Sequence, residues 1–244
     1  MLFDFFLYDT MIVRKVIVME LLVANNLKKS YKMGNKSEII IKGITLSISK
    51  GEFISIVGPS GSGKTTLLYV LSGLESYQEG SVLLFGKELS TYADEDKALL
   101  RTKRIGFVFQ FYNLLPNLTV FENIMLAAVL GKQYNHDHII SILDQVGMKE
   151  FATYYPSQLS GGMQQRVAIA RCLVNDPDII FADEPIGNLD FNNGKQIMEL
   201  FETLNKVHNK TILMVTHNED ATKYGTRTIH MLDGMILKDE TSNS

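Results

Sequence analysis

Gly58-Pro59-Ser60-Gly61-Ser62-Gly63-Lys64-Thr65 fits the pattern G-x-x-x-x-G-K-[ST], and no other stretch restricts the possible folds as much. Its glycines permit backbone angles that a Cβ forbids, so successive N–H groups can turn inward around an anion. Lys64 adds a mobile positive charge for the outer phosphates, and Thr65 offers a hydroxyl to Mg²⁺. Residues 53–57 before the loop read as a buried strand, and residues 66–71 after it start an apolar helix whose N-terminus favours negative charge. Such a strand–loop–helix unit binds a nucleoside triphosphate and demands an α/β core.

The chain has 244 residues, enough for one large domain with a full core. Cys172 is its only cysteine, so neither an internal disulfide nor a zinc cluster is expected. A net charge of -3 without a basic stripe speaks against nucleic acid as a partner. Residues 1–18 are apolar but interrupted by Asp4, Asp9, Arg14 and Lys15, which suits neither a membrane span nor a secretory signal. Two readings stand: an extension with a contact of its own, or a start assigned too far upstream. The second is favoured because Met19 opens directly onto a strand-like run, and the functional domain is expected over residues 19–244.

Short strands are expected at 20–24, 39–41 and 44–48, with Gly43 between the last two and Tyr31 on a loop. Tyr31 reads either as a half-buried aromatic or as a stacking platform for a base. Strands follow at 81–85 and 105–109, the latter delivering Gln110 to the carboxyl edge of the sheet, where open α/β folds bind ligands. Helical periodicity at 120–130 and 138–146 predicts a helical subdomain, about 111–172, inserted in the α/β core. His136 and His138 within it lack the partners of a metal site. Ser160-Gly161-Gly162 opens another amphipathic helix; Ser160 is a cap, and the bare N–H groups behind it are a second, outward-facing anion site in the alternative reading.

The apolar run 178–182 ends in Asp183 and Glu184, which must project from the strand's carboxyl end. Asp183 there can hold Mg²⁺ through water, and Glu184 can orient or deprotonate the attacking water; the other reading is a helix-capping acidic pair. Residues 187–190 turn into a helix over 192–208. A further buried strand at 211–216 ends in His217, which at that edge either donates to a γ-phosphate, positions the water or is an ordinary exposed loop histidine, and Asp233-Gly234 marks a hairpin.

With all these parts in one order, and with Leu159-Ser160-Gly161-Gly162 among them, the chain resembles the ATP-binding subunit of ABC transporters over residues 19–238. The resemblance implies a P-loop core with a mostly parallel sheet, an N-terminal antiparallel β subdomain and the inserted helical subdomain. It implies ATP and Mg²⁺ as cofactors, with Tyr31 on the adenine, Gly58 to Thr66 (Pro59, Ser60, Gly61, Ser62, Gly63, Lys64 and Thr65 between them) on the phosphates, and Thr65, Gln110 and Asp183 toward the metal. Glu184 would be the general base and His217 a γ-phosphate clamp. Ser160, Gly161, Gly162 and Asp190 would complete the site of a second copy in a nucleotide-sandwiched homodimer.

The segments 105–110, 113–116 and 187–190 resemble the lipoprotein-release, macrolide-export and antimicrobial-peptide-export branch, which also holds a cell-division regulator. That implies a cytoplasmic ATPase, peripheral on the inner face of the membrane, driving a separate permease. The other reading is a regulatory ATPase that moves no substrate. DNA-repair and translation members carry coiled-coil insertions or fused second ATPase domains, which are absent here, and Asn35-Lys36-Ser37-Glu38 is no GTPase motif. Two positions depart from the family pattern: Met163 where Gln is usual, and Ile186 where Thr is usual.

Overall fold

A computed structural model describes residues 20–34 and 36–241; the expected extension at 1–18 lies outside the described residues. The first elements are two long antiparallel strands, β1 (Glu20–Met33) and β2 (Lys36–Ser49). This corrects the expectation of short strands divided by Gly43, which instead stays inside β2 at φ 90°. Register shifts in β1 between Ala24 and Leu27, and again between Leu27 and Lys28, take up the mismatch. A bulge absorbs extra residues without ending the ladder, so Tyr31 is a strand residue opposite Glu38 and not a loop residue.

β3 (Phe53–Val57) feeds the glycine loop, and α1 (Lys64–Leu71) starts earlier than the apolar run suggests, with Gly63 left-handed at its N-cap. β4 (Glu79–Leu84) and β5 (Lys87–Glu88) complete a 4-stranded sheet in the order β2-β1-β4-β5. Phe85, expected to end β4, turns away at φ 54° and lies under the Arg104 guanidinium, 3.6 Å from its ring centroid. α2 (Asp94–Lys103) has no buried residue, so no apolar stripe announces it. Its acidic first turn and its Arg101 and Lys103 in the last turn complement the helix dipole.

The remaining elements are β6 (Ile105–Phe109), α3 (Val120–Leu130), α4 (His136–Gln145), α5 (Gly161–Leu173), β7 (Ile179–Asp183), α6 (Phe191–Lys206), β8 (Thr211–Thr216), β9 (Arg227–Leu232) and β10 (Met235–Thr241). The large sheet runs β10-β9-β3-β8-β7-β6, parallel except at β10. Every residue of β3, β7 and β8 is buried, because both sheet faces are covered. Alternation divides their side chains between two cores. Phe53, Ile180, Ala182, Ile212 and Met214 face the helices α3–α6, whereas Ile54, Ile56, Phe181, Leu213 and Val215 face α1 and the antiparallel sheet. Among the described residues no helix is long and apolar enough to cross a membrane.

The Asp233-Gly234 turn does more than join β9 to β10. Gly234 N–H donates to the Ser62 carbonyl (3.1 Å) and its own carbonyl accepts from Lys42 N–H (2.9 Å), tying the glycine loop to β2. At φ 77°, with an added Cβ only 2.1 Å from the Ile40 carbonyl oxygen, no side chain fits there. Gly234→Ala is expected to destabilise the fold by about 1–3 kcal/mol. A thermal melt reads this as a fall of several degrees, and a variant melting with the parent would show that the turn does not need glycine.

Candidate active site

Tyr31, Ile40, Ser60, Gly61, Gly63, Lys64, Thr65, Thr66 and Glu184 line one cleft of about 380 Å³ at the carboxyl edge of the parallel sheet. The loop before α1 forms its floor. Gly58 is packed against β9 so closely that a Cβ would come 2.1 Å from the Met231 carbonyl oxygen, which excludes any other residue. Lys64 Nζ donates to the carbonyls of Gly58 (2.8 Å) and Pro59 (3.0 Å). Burial lowers its pKa, while the fields of Glu184 and Asp183 oppose that and favour the charged form. A cation resting on loop carbonyls, at the first residue of α1, suits a polyphosphate. Ser62 in the same loop is buried, its hydroxyl without a hydrogen-bond partner among the described residues.

Tyr31, 36% exposed, donates its hydroxyl to Glu75, and Lys29 Nζ sits 4.7 Å from its ring centroid. Burial, then Glu75, raises the phenol's pKa, so it stays a neutral donor. The ring is thereby braced at one wall of the cleft.

Asp183 ends β7 and is 9% exposed. Thr65 Oγ1 donates to its Oδ1 at 2.9 Å. Hard oxygen donors in contact, one of them an anion, match what Mg²⁺ accepts, so these residues fit the metal the sequence implies. Glu184, the next residue, adopts φ 46°, a conformation that costs a non-glycine residue about 1–3 kcal/mol and gathers at functional sites. Its backbone is fixed by the Val215 carbonyl (2.9 Å) and Gly187 N–H (3.0 Å). Its Oε2 accepts from Thr216 Oγ1 (3.0 Å) and its Oε1 lies 2.9 Å from His217 Nδ1. His217 therefore reaches the cleft through Glu184.

Gln110, at the end of β6, is turned toward the 187–190 turn: its Nε2 donates to Asn188 Oδ1 (3.2 Å) and its carbonyl accepts from Asn188 Nδ2 (3.1 Å). Ser160, Gly161, Gly162 and Asp190 do not line the cleft. Ser160 caps α5, accepting Met163 N–H at 3.3 Å, so the departure at Met163 leaves this contact in place. Gly161 sits against Tyr112 and Leu189, and Gly162 against Asn193. Asp190 caps α6 through Asn193 N–H (3.0 Å), which holds its carboxyl below the usual range. Ile186 packs on the helical core. His136 and His138 stand apart from all of this, His138 Nε2 lying 3.0 Å from the Val174 carbonyl.

The sequence reading missed the residues that brace the site. Glu75 and Lys29 hold Tyr31, Thr216 holds Glu184, and Gln165 donates to the Pro185 carbonyl (2.6 Å) beneath the Asp183–Glu184 turn. Tyr69 Oη donates to Asp183 Oδ2 at 2.9 Å. Only Tyr69 carries a local signal, lying four residues after Thr65 on one helix face.

The sequence profile of the family described as "ABC transporter" matches residues 41–187. The lipoprotein-releasing system ATP-binding protein LolD of Cytophaga hutchinsonii is 43% identical over 221 residues, 89% of this chain and 99% of that protein. The macrolide export ATP-binding/permease protein MacB of Bdellovibrio bacteriovorus is 42% identical over 215 residues, 88% of this chain; the match spans only 33% of that longer protein. A solved dimeric, post-hydrolysis structure of the ATP-binding cassette MJ0796, a protein of Methanocaldococcus jannaschii, bound to ADP and Pi, superposes with a TM-score of 0.84 at 38% identity, covering 91% of this chain and 99% of that one. With a phosphate loop, an acidic strand end and a glycine-opened helix in this arrangement, the chain belongs to the ABC transporter family and is an ATP-binding cassette with ATPase activity.

Proposed function

We propose that this cassette powers a separate membrane permease of an export system through ATP-driven dimerisation of two copies. The observation that carries this is the division of the chain's anion-binding groups. The glycine loop, Lys64 and Glu184 share one cleft, whereas the helix start at Ser160, Gly161 and Gly162 opens elsewhere, beside Leu189 and Asn193. A two-fold pair brings the second group of one copy over the first group of the other, making two like sites.

In each site the loop N–H groups and Lys64 hold the phosphates, and Tyr31 offers its braced ring to the base. Mg²⁺, held through Thr65 and Asp183 with Gln110 toward it, would neutralise charge developing on the phosphate oxygens. Glu184 takes the proton of the attacking water, and His217, now on its Oε1, turns to the γ-phosphate. Gln110, joined to Asn188, links that site to the 187–190 turn. The permease selects the cargo, and the cassette sits on the cytoplasmic face of the membrane. The names of the lipoprotein-releasing and macrolide-export relatives support the export branch.

Affinity purification of the tagged chain from detergent-solubilised membranes is expected to bring down an integral membrane protein with an extracytoplasmic domain. Recovery of no membrane protein, with ATP or with ADP, would count against the proposal. A partner whose loss alters the cell wall and no export would replace transport by regulation.

A further inference from the structure

α1 carries a half-buried tyrosine whose ring packs against the core and whose hydroxyl has a use that packing does not explain. Tyr69 follows Thr65 by one helical turn, so both side chains leave the same face of the helix. That face meets the end of β7, and the two residues divide a single carboxylate between them. Thr65 Oγ1 donates to Asp183 Oδ1 and Tyr69 Oη to Asp183 Oδ2, each at 2.9 Å.

The division has a physical consequence. The terminal torsion of an aspartate is broad and nearly two-fold, so one hydrogen bond leaves the carboxylate free to rock or flip. Two donors four residues apart on a rigid helix fix its plane. Asp183 is only 9% exposed, so water cannot easily replace a missing donor. When a cation draws on the Thr65 hydroxyl, the Tyr69 contact is the one that persists.

We propose that Tyr69 is a positioning residue for metal-dependent nucleotide binding: by holding Asp183 Oδ2 it keeps Oδ1 aimed at Thr65 and at the cation that pair would take. The proposal rests on the reading of Thr65 and Asp183 as the Mg²⁺ site. It assigns Tyr69 no contact with nucleotide and no proton transfer.

The test is Tyr69→Phe, which keeps the ring and its packing and removes only the donor. Binding of a non-hydrolysable ATP analogue is measured by calorimetry in EDTA and at stepped MgCl₂, alongside a thermal melt. The expected result is an EDTA affinity within about twofold of the parent and an Mg²⁺ midpoint raised about tenfold, the size of one charge-assisted hydrogen bond. An unchanged midpoint would overturn the proposal. So would an equal loss of affinity with and without Mg²⁺, which marks Tyr69 as merely structural. Asp183→Asn, run in parallel, separates the two levels: if it leaves the Mg²⁺ dependence intact, the reading of Asp183 itself is wrong and Tyr69 falls with it. If Asp183→Asn abolishes the dependence while Tyr69→Phe does not shift it, only the Tyr69 proposal fails.

Discussion

Glu184→Gln is expected to slow ATP hydrolysis by about 10²-fold or more while leaving ATP bound. The glutamine amide keeps the side chain's size and still offers one oxygen to Thr216 or His217, so the strained turn at Glu184 is retained. It cannot accept a proton. With turnover blocked, each γ-phosphate should stay between the loop of one copy and the Ser160–Gly162 helix start of the other. The variant should then run as a monomer with ADP and as a dimer with saturating ATP in size-exclusion chromatography with light scattering, at micromolar protein and low salt. Adding Gly161→Asp should abolish that dimer by facing the phosphate with a carboxylate. The new side chain also meets the Tyr112 hydroxyl, 2.7 Å from where its Cβ would lie, so a melt of the double variant belongs in the experiment. Near-parental turnover of Glu184→Gln would remove it as the general base, and an undiminished dimer in the folded double variant would refute the composite site.

Lys64→Ala is expected to weaken ATP binding by roughly ten- to a hundredfold, one charge-assisted contact of about 1.5–3 kcal/mol. Among the described residues the ammonium is bonded only to the Gly58 and Pro59 carbonyls, and these belong to half-buried and exposed loop residues that solvent can reach without it. The fold should therefore persist, with a melting temperature near that of the parent when no nucleotide is present. The stabilisation normally gained on adding ATP should shrink in step with the affinity. A titration giving parental affinity would show that the backbone N–H groups alone hold the triphosphate.

The strands of the parallel sheet were legible because burial on both faces writes a continuous apolar run: residues 53–57, 105–109 and 211–216 were read with the bounds the structure has. α3 was read equally well, and its Thr119–Glu122 capping box fixes its start. β1 and β2 were misread because a bulge hides continuity: Gly43 looks like a break and is a kink within the ladder. α2 was missed because none of its residues is fully buried, and a half-buried Leu100 against the core leaves no period to find. In the site, sequence picked out residues whose type announces chemistry. The contacts that brace them join residues far apart in the chain, Thr216 to Glu184 and Lys29 to Glu75 and Ser76, and no local pattern encodes such meetings.

β3, the strand that presents the glycine loop, has β8 on one edge and β9 on the other, and the β9–β10 turn closes over the loop itself. All three supports come from the far end of the chain. During synthesis at about 5–20 residues per second, the loop would emerge and wait on the order of ten seconds for them. Throughout that interval the binding sequence exists and the binding site does not. ATP, abundant in the cell, stabilises only the form that binds it, so it confers nothing on a chain stalled before β8 and β9 and acts once they are paired. The cassette's fuel is thus also a test of its folding, passed only once β8 and β9 have closed around β3.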